Sequence, residues 1–284
     1  MKIEDIIAAR YRDLSAKLRE AADVVLANQL DVATRSLRTV SDSTGVSPAT
    51  MSRLARALGF ATYEDMRELT RSALETRIDG IPDRALKLRS HETGRDTILD
   101  RQAAACIANI TQMQTATPRQ KIDDAVDLLL GAHNVVLFGA FGAAGSVEYL
   151  AYLASYFSSN WMLAGRRGAS LGAALAGIER GDVFFAVTKA PYAKRAVIAV
   201  ETAHKQGAAT IVITDSHTCP AMKHADIGFI VPSESPQFFS SYAATMVLIE
   251  SLIATYVARS SEDTLARIKD VTKRNSQLGE FWPD

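Results

Sequence analysis

From Ile6 to about Arg77 the apolar residues recur at three- and four-residue spacing (Ile6, Ile7, Tyr11, Leu14, Leu18, then Val24 and Val25) with no alternating segment. That periodicity predicts packed helices. The pattern changes at Val135, where short β-branched and aromatic runs begin, at 135–138, 161–163, 183–187, 210–214 and 227–231. They predict five strands. Runs this apolar are buried on both faces, and the helical stretches between them have the length that right-handed crossovers between parallel strands require. The chain is therefore read as α/β, with an N-terminal all-α domain followed by a five-stranded parallel-sheet α/β sandwich.

Between the halves, Asp79-Gly80-Ile81-Pro82-Asp83 combines a helix stop with a residue that cannot continue a helix. The predicted limits are a first domain over 1–77, a linker over 78–91 and a second domain over 92–284. Residues 92–117 read as helical. Thr117 and Pro118 are placed as N-cap and first-turn residue of a further helix ending near Gly131.

The most informative segment runs from Leu37 to Phe60 and reads as two short helices joined by a tight turn. Gly45 supplies the positive φ of a sharp helix exit, Ser47 caps the next helix, Pro48 opens it and Gly59 ends it. On that second helix Met51, Leu54, Ala55 and Leu58 share an inward face, leaving Thr50, Arg53 and Arg56 outward near the helix start. This is the face a recognition helix lays in a major groove. Its amides, with Ser47, Pro48 and Ser52 at its opening, suit a phosphate; Thr50 and Arg53 reach base edges; Arg35 and Arg38 suit flanking phosphates.

Overall charge adds to this reading. The 284 residues carry 32 basic and 32 acidic side chains and are 48% hydrophobic, a globular composition in which any electrostatic partner must meet a local patch. Between 35 and 56 four arginines face one aspartate, a net +3 in a chain that sums to zero. Cys106 and Cys219 lack any paired spacing, so neither a disulfide framework nor a zinc site is readable and no metal or cofactor is predicted. The opening Met1-Lys2-Ile3-Glu4-Asp5 is unlike an export signal, and the longest small-and-apolar run, 135–145, is shorter than a membrane span of roughly 18 residues. A cytoplasmic location without a membrane partner is expected.

The stretch Gly45-Val46-Ser47-Pro48-Ala49-Thr50-Met51-Ser52-Arg53-Leu54-Ala55-Arg56-Ala57-Leu58-Gly59-Phe60, followed by Tyr63-Glu64-Asp65-Met66-Arg67, resembles the N-terminal domain of the RpiR family of bacterial transcriptional regulators. The resemblance covers about residues 1–77. Further on, Gly181 to Thr188, Gly207 to Ser216, Cys219-Pro220 and Ala225-Asp226 resemble the sugar isomerase (SIS) domain, the usual second half of that family, over about 120–258. The resemblance implies a sheet that binds phosphorylated sugars at its strand C-termini and lets the ligand control DNA binding.

The segment Val135 to Ser146 reads as strand, glycine-rich turn and helix, with glycines spaced G-x-x-G-x-x-G. Three readings stand: backbone amides that favour an anion, glycines that only let helix and sheet pack closely, and a dinucleotide site helped by Arg166 and Arg167. Against the family pattern, the phosphate-clasping serines fall on Ala143, Thr188 and Ala190, its glycine on Pro191 and its threonine on Ala193. Only Thr188 keeps a hydroxyl, and Pro191 lacks an amide donor. What replaces them is Lys189-Ala190-Pro191-Tyr192-Ala193-Lys194-Arg195. The expected effector site is therefore Gly139, Phe141, Gly142 and Ala143 of the turn with Thr188, Lys189, Tyr192 and Arg195. Ser240 and Ser241 are added at the start of the long apolar helix 239–258. Its ligand would be a small anionic metabolite that need not carry phosphate, and the competing reading of 189–195 is a solvated surface loop.

An isomerase-type enzyme is the alternative. It needs an acid/base pair, yet none of the five histidines sits in a motif with a partner carboxylate, and an isolated isomerase has no use for the N-terminal motif. No catalytic residue is assigned. The regulator reading calls for double-stranded DNA with a palindromic operator and for a homodimer or homotetramer, with helix 239–258 as the interface candidate and Phe281-Trp282 covering an apolar patch or a neighbouring subunit. The pair Phe238-Phe239 is expected in the core.

Overall fold

The computed structural model describes residues 3–78, 81–90, 96–165 and 170–282. The chain divides into two compact units, residues 1–94 and 95–284. In the first, α1 (Ile3–Arg10), α2 (Ala16–Ala27), α3 (Gln29–Thr34), α4 (Leu37–Thr44), α5 (Pro48–Ala57), α6 (Tyr63–Ile78) and α7 (Ile81–Ser90) follow one another. Ile7, Val25, Val40, Met51, Leu54 and Met66 are fully buried and form its core. The 81–90 stretch, read in the sequence as linker, is helical, and Pro82 sits in its first turn, where the missing N–H is one that a helix leaves unpaired anyway.

The second unit opens with α8 (Ile98–Ala116) and α9 (Arg119–Leu130). Thr97 and Asp100 form a reciprocal capping box that starts α8 at Ile98; the expected helical residues 92–95 lie outside the described residues. Pro118 itself occupies the cap position of α9, while Thr117 closes α8. The sequence expectation was off by one because Thr117 adopts an extended conformation one residue too early to cap.

The five expected strands are all present: β1 (Val135–Gly139), β2 (Trp161–Leu163), β3 (Val183–Val187), β4 (Ala209–Thr214) and β5 (Ile227–Ile230). They form one parallel sheet in the order β2-β1-β3-β4-β5. The crossovers carry α10 (Ala143–Phe157), α11 (Leu171–Ala176) and α12 (Lys194–Lys205), and α13 (Ala243–Arg259) and α14 (Glu262–Gln277) end the unit. Phe138, Phe184 and Val212 bury one face of the sheet, and Leu137, Phe185 and Ile213 bury the other. β2 is the exception, an edge strand with Met162 half exposed.

That strand order decides where a ligand fits. The chain leaves β1 toward one edge and then returns to place β3 on β1's other side, so the connections diverge between β1 and β3. A crevice opens at such a switch point, outside the strands' carboxyl ends. No single helix among the described residues is long and apolar enough to cross a membrane.

Candidate functional site

The helix-turn-helix is built by local chemistry. Gly45 takes φ +74° and donates its N–H to Ser41 O at 2.9 Å, turning the chain sharply after α4. Ser47 then accepts from Thr50 N at 3.2 Å and pairs with the Thr50 hydroxyl at 2.8 Å. Ser36 caps α4 through Thr39 with the same geometry. Met51, Leu54 and Ala55 seat α5 against α2, α4 and α6.

The outward face carries the expected side chains. Ser47, Pro48 and Arg53 are exposed, Thr50 and Ser52 are half-buried, and Arg53 lies along the helix with Nε donating to Ala49 O at 3.3 Å. Arg56 is exposed but sits in the last turn of α5, not near its start, where its charge complements the helix dipole. Arg38 is exposed; Arg35 pairs with Asp31 at 3.2 Å. Sequence reasoning missed Arg10, whose guanidinium donates to Ala57 O at 3.0 Å and fills the space a Cβ on Gly59 would need. It fixes the end of α5 from 47 residues away, a contact that no local pattern announces.

In the second unit the turns after β1 and β3 leave the sheet side by side, since Gly139 and Val187 are paired in register. Gly139 has no room for a side chain: a Cβ there would lie 2.6 Å from Val147 Cγ2 and 2.7 Å from Ala143 O. This is the close-packing role for a glycine. Phe141 follows with φ +53° and is 74% exposed. The amides of Ala143 and Ala144 donate to Ala140 O and Phe141 O at 3.1 Å, so the turn satisfies part of its own backbone, and Ala143 itself is buried.

After β3, Thr188 is buried and its amide continues the ladder to Ile213 O at 3.0 Å. Lys189 is only 5% exposed, which excludes the solvated-loop reading for this residue. Its ammonium donates to Val231 O at 3.0 Å and lies 5.4 Å from the centre of the Tyr242 ring. Tyr242 also covers Gly142, where a Cβ would come within 3.2 Å of the ring. Burial and the nearby Asp215 carboxylate push the Tyr242 phenol up to about 12. Asp215, at the end of β4, accepts from Ala190 N at 3.3 Å. Neither Asp215 nor Tyr242 was predicted as a site residue; the Thr214-Asp215-Ser216 segment after a buried strand was the available signal.

Tyr192 is half-buried, and Arg195 is exposed with its guanidinium carbon 5.6 Å from the Phe138 ring centre. Lys194 and Arg195 both fall in the first turn of α12, which has no acidic residue and no side-chain cap. Two cations at the positive end of a helix repel it electrostatically, and an anion relieves the conflict. Ser240 is half-buried. Ser241 is buried, its Oγ accepting from Ala243 N at 3.3 Å at the start of α13.

Other expectations change. The apolar face of α13 (Leu248, Ile249, Leu252, Ile253) is buried in the unit's own core, so helix 239–258 does not present it to a neighbour. The rings of Phe238 and Phe239 lie 4.7 Å apart at a tilt of 50°, with Phe239 half exposed and outside the core, and Trp282 is 93% exposed, which leaves the neighbouring-subunit reading of that residue untested. His204 does meet a carboxylate in space, Nδ1 lying 3.7 Å from Asp226, but at the surface and away from the strand ends described above. Both cysteines are free. Arg166 and Arg167 lie outside the described residues.

The chain is thus a helix-turn-helix unit followed by an α/β unit with a five-stranded parallel sheet. Residues 1–76 match the helix-turn-helix domain of the rpiR family and residues 128–255 match the SIS domain. The chain carries the domain pair of the RpiR family of transcriptional regulators. An uncharacterised HTH-type transcriptional regulator of Caldanaerobacter subterraneus subsp. tengcongensis is 23% identical over 95% of this chain and 96% of that one. Among solved structures, the Vibrio vulnificus NanR protein complexed with ManNAc-6P aligns over 98% of this chain and 99% of its own, with a TM-score of 0.59 and 19% identity. The sugar isomerase domain of an RpiR transcription factor from Sphaerobacter thermophilus aligns over 61% of this chain and 96% of its own, with a TM-score of 0.57 and 22% identity. At these identities the two structures establish a shared fold.

Proposed function

We propose that this regulator binds a palindromic operator through α5 and that a small anionic metabolite at the carboxyl edge of the sheet controls its affinity. The observation that carries the first half is the division of α5, with Met51, Leu54 and Ala55 sealed inside and Arg53 exposed. Ser47 and the first-turn amides contact phosphate, Thr50 and Arg53 read base edges, and Arg35, Arg38 and Arg56 hold flanking phosphates. One such helix reads few base pairs, so the protein acts as a homodimer or a homotetramer. It works in the cytoplasm, where its operator is.

The second half is supported by Lys189, Lys194 and Arg195 beside the switch-point crevice and by the sugar phosphate bound to the structurally similar NanR. Because Ala143, Ala190 and Ala193 stand where the family carries hydroxyls, cations and not serines hold the anion. Effector occupancy changes operator affinity by a coupling free energy of about 1–3 kcal/mol. The test is a gel shift with the fragment upstream of the protein's own gene, titrated with sugar phosphates and sugar acids. The reading predicts a specific complex at nanomolar protein and a shifted midpoint with one of those ligands; equal affinity for a scrambled fragment would refute it.

A further inference from the structure

Phe141 combines two features that a structural residue rarely has together. Its φ of +53° lies in the left-handed region, a true outlier for a bulky side chain, and its ring is 74% exposed, so no burial of its own offsets the strain. Glycine or asparagine would adopt this backbone more easily.

The position gives the ring a use. Phe141 follows Gly139 by two residues and Lys189 follows Val187 by two, and Gly139 and Val187 are register partners. Tyr242 ties the two turns together, against Gly142 on one side and 5.4 Å from the Lys189 ammonium on the other. Asp215 adds an acceptor whose carboxylate already takes the Ala190 amide. A cation, a carboxylate and an exposed aromatic face at one sheet edge match three parts of one ligand class: an anionic group, hydroxyls, and a face of carbon-bound hydrogens.

We infer that Phe141 is a stacking platform for the apolar face of the effector, which is therefore a sugar or polyol anion and not a compact inorganic-like anion. This rests on the anion-site reading above and adds the residue that sets its specificity. Stacking of this kind contributes up to about tenfold in affinity.

Calorimetry on the full chain with glucose 6-phosphate, gluconate and inorganic phosphate tests it. For the wild type, at least one sugar anion binds about tenfold tighter than inorganic phosphate. Phe141→Asn, which suits the left-handed backbone, removes that preference while leaving the melting temperature unchanged or higher; Phe141→Tyr keeps the preference. Arg195→Ala weakens all three probes together. If Phe141→Asn retains the preference while Arg195→Ala weakens binding, the platform is wrong and the anion site stands. If Arg195→Ala changes nothing, the anion site itself is wrong. Binding of none of the probes, or a loss of oligomer in Phe141→Asn with the preference intact, also overturns the proposal.

Discussion

The ammonium of Lys189 donates to the carbonyl of Val231 at 3.0 Å, joining the turn after β3 to the chain that leaves β5. A buried cation in this position holds the far side of the crevice as well as charging it. Lys189→Met keeps much of the side-chain volume and leaves the Val231 carbonyl without this donor. The loss expected is about 1–3 kcal/mol, read as a lower urea midpoint at constant slope. An unchanged midpoint would mean that the contact contributes nothing.

Tyr242 gives the same region a pH signature. Its phenol ionises only near pH 12 in the folded chain against about 10 when unfolded. A raised acid pKa favours the neutral form in the native state, so this contribution is complete below pH 10 and is lost as pH rises toward 12. Absorbance titration should show a late-ionising tyrosine that disappears in Tyr242→Phe.

Glycines of one motif differ in their tolerance. Gly139→Ala forces a Cβ against a backbone oxygen at 2.7 Å, whereas at Gly145, inside α10, nothing lies within 4 Å. Thermal melts should show Gly139→Ala destabilised by about 1–3 kcal/mol. Gly145→Ala should be stabilised by about 0.5–1 kcal/mol through its helix propensity.

Ser47→Ala removes the acceptor for Thr50 N and frees the start of α5. A cost of about 1 kcal/mol is expected in chemical denaturation, together with weaker DNA binding. Ser47→Asp restores the cap but sets a negative charge at the phosphate contact, so it should recover stability and not DNA binding. Recovery of both would remove the phosphate from that contact.

The sheet was legible because parallel strands buried on both faces leave uninterrupted apolar runs, as at 183–187. The helix-turn-helix motif was legible because capping and turn chemistry is local: Gly45, Ser47 and Pro48 each do what their residue type dictates. What escaped depends on partners distant in sequence. Lys189 reads as a cation at a strand end, but nothing in the sequence marks its burial or its bond to Val231 O, and Arg10 carries no mark of its contact with Ala57. The apolar residues of α13 suggested a subunit contact only because the pattern cannot tell whether α8, α9 and α10 or a second chain will cover them.

The central claim is that the exposed face of α5 reads DNA, and it is tested most directly by fluorescence anisotropy comparing the operator with a scrambled duplex for wild type and Arg53→Ala across a salt series. Wild type should prefer the operator by at least about a thousandfold, with affinity falling steeply as salt rises. Arg53→Ala should lose about tenfold to a hundredfold of that preference while keeping its fold by circular dichroism. Identical discrimination by the two proteins would contradict the account.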